Sequence, residues 1–353
     1  MGSEWRLLQD GITEPYMHFA VEEAVLRLVS EGLLPPTLRL RQVQRAVFVG
    51  VLQDTWREVD VNYCREHGIR IVRRLSGGGA VYHDLGSFCF SAFFPRAMFA
   101  QTDEALYPAF AAPIIQTCAD YGVNAHFHGR NDVLVGERKI YGSAQIALFE
   151  AFAHSGTFLV NMDFDTLARA LTPPTLKFQG KATGSVAARV TSLARELGRQ
   201  VPVGGVMQRF AHHFGQMFGV QLVPGDLTDE ERSLAQRLLV EKYATDAWNL
   251  GTRNEYRTVV STKLRQGIIT LAVDMSGGTI RRAQVQGDLL LPDHTALAQL
   301  ETRWVNCTPD EARRELAVAH LPPDIREAIA AMLDRVAEEE LRKTMPNHSN
   351  GGQ

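Results

Sequence analysis

Residues 73–84 read RRLSGGGAVYHD, where two arginines end an apolar segment and three consecutive glycines follow. Glycine adopts backbone conformations that other residues avoid, and it lets amide groups approach a ligand closely. The N–H groups of residues 77–79 can therefore surround phosphate or carboxylate oxygens. Either arginine can add a two-pronged, charge-assisted hydrogen bond to the same anion. A flexible turn between strands is the alternative, but the arginines and the His-Asp pair that follows favour an anion-binding loop.

The segments on both sides of this stretch mix helix and strand patterns. Apolar spacing predicts helices at 16–30 and 103–121, and strand patterns occupy 46–53, 69–75 and 132–149. In the first helix Glu22 and Glu23 are expected on the side opposite the apolar residues. Gly136 is expected in a hairpin turn. Helices mixed with hairpins indicate an α+β fold rather than a repeat of strand, helix and parallel strand.

A second pattern of alternating segments begins near Trp248 and is followed by helical patterns up to residue 341. We therefore place a domain boundary near 245. This predicts a larger domain at 1–245, a small domain at 246–342 and a disordered tail at 343–353.

Composition excludes several classes of protein. The 40 acidic and 37 basic side chains leave a formal charge of −3, so the chain has no basic field for nucleic acid. No stretch approaches the roughly 18 apolar residues of a membrane span. The four cysteines are scattered, without a CxxC pair, which favours a reducing cytoplasm over secretion.

Lys139 follows the predicted hairpin turn and precedes Gly142. A lysine in an apolar strand is usually a solvated edge residue. Beside an anion-binding loop, a fixed ammonium can also offset the negative charge that develops at a phosphoryl or acyl-adenylate centre. Asn131 and Asp132 begin the same hairpin, and Asp132 is either a turn residue or a ligand for Mg²⁺ bound to phosphates.

Three other motifs do not indicate a nucleotide, metal or hydrolase site. The segment GKAT at 180–183 lacks the first glycine of a P-loop, because Thr175 stands there. His126 and His128 have no third ligand nearby in sequence, so packing or surface histidines are favoured over a metal site. The chain contains no GxSxG elbow.

Several segments together resemble the lipoate protein ligase A family, in its order and spacing, over roughly residues 4 to 340. They are RRLSGGGAVYHDLG (73–86), GRNDVLVGERKIYGSAQ (129–145), HSGTFLVN (154–161) and GKATGSVAARVTSL (180–193). The later segments AWNLGTRNEYRT (247–258) and GGTIRRAQVQGDLL (277–290) resemble the small C-terminal accessory domain of that family.

The resemblance implies a mixed-sheet catalytic domain of the biotin and lipoate ligase superfamily, followed by an α/β accessory domain. It implies that lipoate and MgATP form lipoyl-adenylate, and that the lipoyl group then passes to a lysine of a lipoyl domain. The implied acceptors are the E2 subunits of 2-oxoacid dehydrogenases and the H protein of glycine cleavage. We expect a cytoplasmic monomer.

The resemblance also implies roles for individual residues. Lys139 matches the catalytic lysine of the family, and Asp132 is the candidate Mg²⁺ ligand. The residues implied in binding lipoate and ATP are Arg74, Ser76, Gly77, Gly78, Gly79, Ala80, His83, Asn131, Asp132, Gly156, Thr157, Lys181 and Ser185.

Two departures from the family leave the preferred acid open. His18 stands where relatives often carry Asn, and QDTWREVD (53–60) differs from the usual lead-in. Octanoyl transfer through a cysteine thioester is an alternative within the superfamily. That reaction requires a cysteine just before the Lys139 strand, and this chain has none there. Cys89, in an apolar strand, is expected to be a buried, inert thiol. A non-catalytic protein that binds lipoyl-adenylate or a lipoyl domain is the alternative from another class.

Overall fold

The computed structural model describes residues 3–99, 103–173, 187–253, 255–265, 267–291 and 293–344. The chain divides into one unit of residues 1–252 with 290–292, and another of residues 253–289 with 293–353. The first unit runs past residue 245 because the segment that follows binds to Arg73. Asn249 Oδ1 accepts a hydrogen bond from the Arg73 backbone N–H at 3.0 Å, and the Trp248 indole donates to the Arg73 carbonyl at 2.8 Å.

The strands of the first unit are β1 (Glu4–Thr13), β2 (Thr37–Val43), β3 (Ala46–Val49), β4 (Arg70–Arg73), β5 (Val81–His83), β6 (Ser87–Pro95), β7 (His126–His128), β8 (Asp132–Val135), β9 (Arg138–Leu148), β10 (Ala151–Leu159) and β11 (Gln221–Gly225). Its helices are α1 (Pro15–Ser30), α2 (Thr55–Glu58), α3 (Val61–Glu66), α4 (Asp103–Asp120), α5 (Phe164–Ala170), α6 (Leu193–Leu197), α7 (Val203–Phe218), α8 (Asp229–Leu238) and α9 (Asp246–Asn249). Short 3-10 turns lie at Arg96–Met98 and Ala187–Arg189, and a π turn lies at Leu239–Tyr243.

An eight-stranded mixed sheet forms the centre of this unit, in the order β11-β1-β2-β6-β10-β9-β8-β7. β1 is parallel to β11 and to β2, and the pairs from β2 across to β7 are antiparallel. One face packs on α4 and α7 through an aromatic core that includes Phe90, Phe110 and Phe210. The other face packs on α1. This arrangement confirms the predicted α+β fold.

Helix α1 is buried on both sides, which corrects one expectation. It packs on the sheet and also on α8 and the π turn, so Glu22 and Glu23 are buried rather than solvated. Buried carboxylates need partners. Glu23 accepts hydrogen bonds from Lys242 Nζ at 2.8 Å and Tyr243 Oη at 2.6 Å, and Glu22 pairs with two arginines of β2.

A three-stranded sheet in the order β4-β3-β5 carries the glycine-rich stretch. β3 is parallel to β4 and antiparallel to β5. Because β4 and β5 both pair with β3, the connection between them, residues 74–80, is held at one end of this sheet.

The second unit contains an antiparallel sheet in the order β12 (Thr258–Leu264), β13 (Gly267–Ser276) and β14 (Thr279–Gly287). Its helices are α10 (Thr295–Arg303), α11 (Pro309–Ala317) and α12 (Pro323–Thr344). Of the expected tail 343–353, residues 343 and 344 end α12, and 345–353 lie outside the described residues. Among the helices described, none has the length and apolar character that a membrane crossing requires.

Candidate active site

Arg74 organises the glycine-rich loop from inside. Its guanidinium donates hydrogen bonds to the carbonyls of Gly77 at 2.6 Å, Gly79 at 2.9 Å and Phe48 at 3.1 Å, and to Ser76 Oγ at 3.2 Å. These bonds tie the loop to itself and to β3. The side chain predicted to hold a ligand anion therefore shapes the loop in this structure.

Arg73 binds a different part of the chain from Arg74, and the sequence alone did not distinguish the two arginines. Its Nη1 donates to the carbonyls of Gly50, Val51 and Gln53 at 3.0, 3.0 and 2.7 Å. Burial lowers the pKa of Arg73 to about 10. For Arg74, burial first and then the neighbouring Arg73 also lower the pKa to about 10, so both remain charged at neutral pH.

Two glycines are required by this packing. Gly78 has a φ of +91°, a conformation that side chains disfavour. Gly50 lies against the loop so closely that a Cβ there would be 2.1 Å from the Gly78 carbonyl oxygen. Any larger residue at Gly50 would therefore disturb the conformation of the loop.

Lys139 lies at the start of β9 and reaches back across the strand. Its Nζ is 2.6 Å from Asp132 Oδ1, and the two side chains are 33% and 30% exposed. Gly142 makes room for this arrangement, because a Cβ there would lie 2.2 Å from Nζ. The ammonium is thus held in one place and is reachable from solvent.

Asn131 positions this hairpin. Its side-chain amide donates to the Ser143 carbonyl at 2.6 Å, and its own carbonyl accepts from the Ser143 N–H at 3.0 Å. This pairing brings Asp132 opposite Gly142 in the register of β8 and β9.

A row of paired residues crosses the sheet and joins the lysine to the glycine-rich loop. In order from β8 to β2, the paired residues are Asp132, Gly142, Thr157, Cys89 and Arg41. Cys89 Sγ is 3.5 Å from His83 Nδ1. The His83 ring is 4.0 Å from that of Phe48, whose carbonyl accepts from Arg74. These contacts therefore link the predicted residues on the two sides of the row.

The electrostatics of this site disfavour a cysteine nucleophile. Burial, followed by Arg74 and Arg41, lowers the pKa of His83 to about 3, so the imidazole is neutral. Burial raises the pKa of the Cys89 thiol. A thiol that stays protonated beside a neutral, buried histidine lacks the thiolate that attack requires.

Gly156 and Thr157 lie on opposite faces of β10. A Cβ on Gly156 would lie 2.4 Å from the Tyr141 ring, so this glycine is needed for packing against the aromatic core. Thr157 is half-buried, with Oγ1 3.8 Å from Cys89 Sγ. Of the remaining predicted residues, Ser76 is buried and Ala80 is half-buried within the loop.

Lys181 and Ser185 lie outside the described residues. The described chain that follows them is joined to the site. Val190 forms a parallel bridge with Lys139, and the Thr191 N–H donates to the Lys139 carbonyl at 2.8 Å. The described chain at Val190 and Thr191 therefore lies against the lysine strand.

The donor set fits an Mg²⁺ ion carried by ATP better than a protein cage. Within the described ranges, no group of three His, Cys, Asp or Glu side chains converges, and His126 and His128 are exposed on β7. Asp132 supplies one carboxylate at the site. One or two carboxylates together with phosphate oxygens are the usual ligands of nucleotide-bound Mg²⁺.

Sequence reasoning missed a polar cluster that shares Arg41 with the row. It consists of Glu22, Arg41, Ser91 and Ser155, and we call it the polar wall. The spacing indicated it, because Arg39 and Arg41 are two positions apart in the strand TLRLRQ, and Ser87 and Ser91 are four positions apart in the strand SFCFSAFF. Alternation places such residues on one face of a sheet.

The comparisons with known proteins agree with this geometry. Residues 14–215 match the model of the lipoyl protein ligase A/B catalytic domain. A lipoate–protein ligase 1 of Staphylococcus aureus is 32% identical over 329 residues, which are 90% of this chain and 95% of that protein. A crystal structure of lipoate–protein ligase A bound with ATP is 27% identical, with a TM-score of 0.61, over 71% of this chain and 99% of that one.

A third relative comes from Thermoplasma acidophilum, a bipartite lipoate protein ligase described together with its E2 lipoyl domain. It is 30% identical, with a TM-score of 0.61, over 72% of this chain and 100% of that one. The match to the family model covers more than half of the chain and includes the glycine-rich loop, the lysine hairpin and β10. The chain therefore belongs to the lipoyl protein ligase A/B family.

Proposed function

We propose that this protein is an ATP-dependent lipoate–protein ligase. It activates lipoate to lipoyl-adenylate and transfers the lipoyl group to a lysine of a lipoyl domain. The observation that carries the proposal is the ammonium of Lys139, held by Asp132 at 2.6 Å on the same face of the sheet as Cys89 and Thr157. The 32% identity to a lipoate–protein ligase supports the same activity.

In the first step a carboxylate oxygen of lipoate attacks the α-phosphorus of ATP, and pyrophosphate leaves. Both reactants are anions, so the protein has to place them in line and offset their charge. Lys139 supplies a fixed positive charge beside the reacting oxygens. We assign the loop 76–80 to the carboxylate and the α-phosphate, in the shape that Arg74 gives it.

Mg²⁺ on the ATP phosphates would neutralise charge on the leaving pyrophosphate. Asp132 is the carboxylate that we assign to it. The same side chain orients Lys139, so replacing Asp132 affects both the position of the ammonium and the binding of MgATP.

In the second step the ε-amine of the acceptor lysine attacks the carbonyl carbon of the mixed anhydride, and AMP leaves. This anhydride is already activated, so no protein nucleophile is required. The proposed acceptors are lipoyl domains of E2 subunits and the H protein of glycine cleavage. A relative described with its E2 lipoyl domain supports the first of these. We further propose that the protein acts as a monomer in the cytoplasm.

Catalysis is assigned to the first unit. All of the described site residues lie between Glu22 and Thr191, within that unit. The role of an accessory domain is proposed for the second unit.

The test uses purified protein, MgATP, lipoate and an apo lipoyl domain, and it reads the mass of the acceptor. Lipoate-dependent release of pyrophosphate and a lipoyl adduct on the acceptor lysine are expected. Lys139→Ala should lose adenylation by roughly 10²- to 10³-fold, while Lys263→Ala in the second unit serves as the matched control.

Two outcomes would contradict the proposal. Modification of the acceptor from an acyl carrier protein without ATP would favour the thioester route. Binding of the lipoyl domain with neither pyrophosphate release nor an adduct would favour a non-catalytic binding protein.

A further inference from the structure

The sheet face that carries the row from Asp132 to Arg41 is partly exposed at its centre. β10 lies between β6 and β9 in the middle of the eight-stranded sheet, and most of its residues are buried. Ser155 and Thr157 are the two half-exposed positions of β10, and both point to the face that carries α1. A central strand is exposed at its middle where the described part of the covering layer leaves a gap. We call this gap the acyl groove.

The groove begins at the reacting groups. Thr157 pairs with Gly142, over which the Lys139 side chain folds. One step along the same face, Ser155 pairs with Ala144 on one side and with Ser91 on the other. An acid whose carboxylate lies near Lys139 therefore extends its tail over Thr157 and Ser155.

The polar wall closes the far side of this groove. Ser155 Oγ is 2.7 Å from Ser91 Oγ, and Ser91 Oγ donates to Glu22 Oε2 at 2.7 Å. Arg41 Nη2 lies 2.9 Å from Ser91 Oγ and 3.0 Å from Glu22 Oε1. Arg41 and Ser91 are fully buried, whereas Ser155 is half-exposed and the Glu22 side chain retains 11% exposure.

The distance between the two ends suits an acid of medium length. Gly142 lies on β9 and Ser91 on β6, two strands apart. With strands spaced by about 4.8 Å, the tail has to cross roughly 10 Å. An extended eight-carbon acid covers most of that distance, so the end of its tail lies near Ser155 and the Glu22 carboxylate.

The chemistry of the wall decides which tail end fits. A hydrocarbon end would remove water from the Ser155 hydroxyl and the Glu22 carboxylate without replacing the hydrogen bonds that water makes, beyond those within the wall, which is unfavourable. A carboxylate oxygen accepts, and a serine hydroxyl can both accept and donate. The matching group on the acid is therefore a hydrogen-bond donor.

We propose that the polar wall is a specificity determinant of the acyl groove, and that it favours acids with a donor such as a hydroxyl at the end of the tail. This inference rests on the proposed function, because it concerns the acid that the ligase activates. Lipoate and octanoate remain substrates, and an ω-hydroxy acid of equal length is activated more efficiently than its apolar counterpart.

The experiment compares ω-hydroxy acids of six, seven and eight carbons with hexanoate, heptanoate and octanoate. It measures acid-dependent exchange of pyrophosphate into ATP. We expect the best hydroxy acid to exceed the apolar acid of the same length by about 10-fold or more in kcat/KM, because a site that bonds a hydroxyl discriminates against the analogue without it. Equal or better use of the apolar acids at every length would overturn the inference.

A pair of variants assigns the effect to the wall. Ser155→Ala should reduce the preference for the hydroxy acid, measured as the ratio of kcat/KM for the two acids of equal length, to about 3-fold or less. Ser261→Ala is the matched control, since Ser261 Oγ also contacts another hydroxyl, that of Thr270, at 2.8 Å, and it should leave the preference unchanged. A preference that persists in Ser155→Ala would refute the role of the wall.

The exchange assay distinguishes failure of the proposed function from failure of this inference. In that case no acid of either series, nor lipoate, supports exchange in the unmodified protein. The inference fails separately when exchange is robust but insensitive to the hydroxyl.

Discussion

Gly142→Ala tests whether the position of the Lys139 ammonium matters, rather than only its charge. The added methyl group would lie 2.2 Å from Nζ, and ordinary contact begins at 3.4 Å, so the ammonium has to retreat by about 1.2 Å. The side chain is flexible and can do so. The substitution therefore displaces the charge without removing it.

The size of the effect follows from this displacement. A misplacement of about 1 Å can lower a rate by roughly 10²-fold, which corresponds to about 2.7 kcal/mol in the activation barrier. Stability should change little, because Gly142 lies in a strand without positive φ and the half-exposed pair of Lys139 and Asp132 contributes only about 0–1 kcal/mol.

The assay is lipoate-dependent exchange of pyrophosphate into ATP, measured with folded protein at saturating lipoate. Gly204→Ala is the control, because a Cβ there meets nothing within 4 Å. In the Lys139→Ala background the substitution at Gly142 should cost nothing further, since the group that it displaces is absent. Near-normal exchange by Gly142→Ala, or a full additional loss in the double variant, would refute the reasoning.

Three further predictions concern packing, chemistry and pH. Gly156→Ala should lower the free energy of unfolding by about 1–3 kcal/mol, because its Cβ would overlap the buried Tyr141 ring; an unchanged melting temperature would contradict this. Cys89→Ala should retain lipoate transfer per folded molecule, and a folded but inactive variant would indicate a cysteine-bound acyl group. The free energy of unfolding should fall as the pH drops from 6.5 towards 3, because burial lowers the pKa of His83 and His154 to about 3. The unfolded chain then binds protons that the folded chain does not, at roughly 1.4 kcal/mol per pH unit for each histidine. Urea unfolding between pH 7.5 and 5 checks this, and an unchanged slope in His154→Gln would count against it.

The parts that could be predicted from the sequence are local. The helices at 16–30 and 103–121 and the lysine hairpin follow from periodicity and turn residues, and the structure confirms them. The glycine-rich loop was predicted to bind a ligand anion because glycines and arginines stand together in sequence. The involvement of these residues in catalysis stays a prediction.

The parts that could not be predicted depend on partners distant in sequence. Arg73 and Arg74 are adjacent, yet Arg73 binds Trp248 and Asn249, more than 170 positions away, while Arg74 binds its own loop. Glu23 is buried because Lys242 and Tyr243 cover it. Helical periodicity identifies the apolar side of a helix that packs on the sheet. It does not show whether another helix covers the opposite side.

The acyl-adenylate itself is the central claim, and labelled oxygen tests it most directly. Lipoate carrying ¹⁸O in its carboxylate is incubated with the protein, MgATP and an apo lipoyl domain, and the AMP is analysed by mass. If the carboxylate attacks the α-phosphorus and the acceptor lysine then displaces AMP, one labelled oxygen remains on AMP. Unlabelled AMP, or label in inorganic phosphate with ADP as the product, would contradict the account.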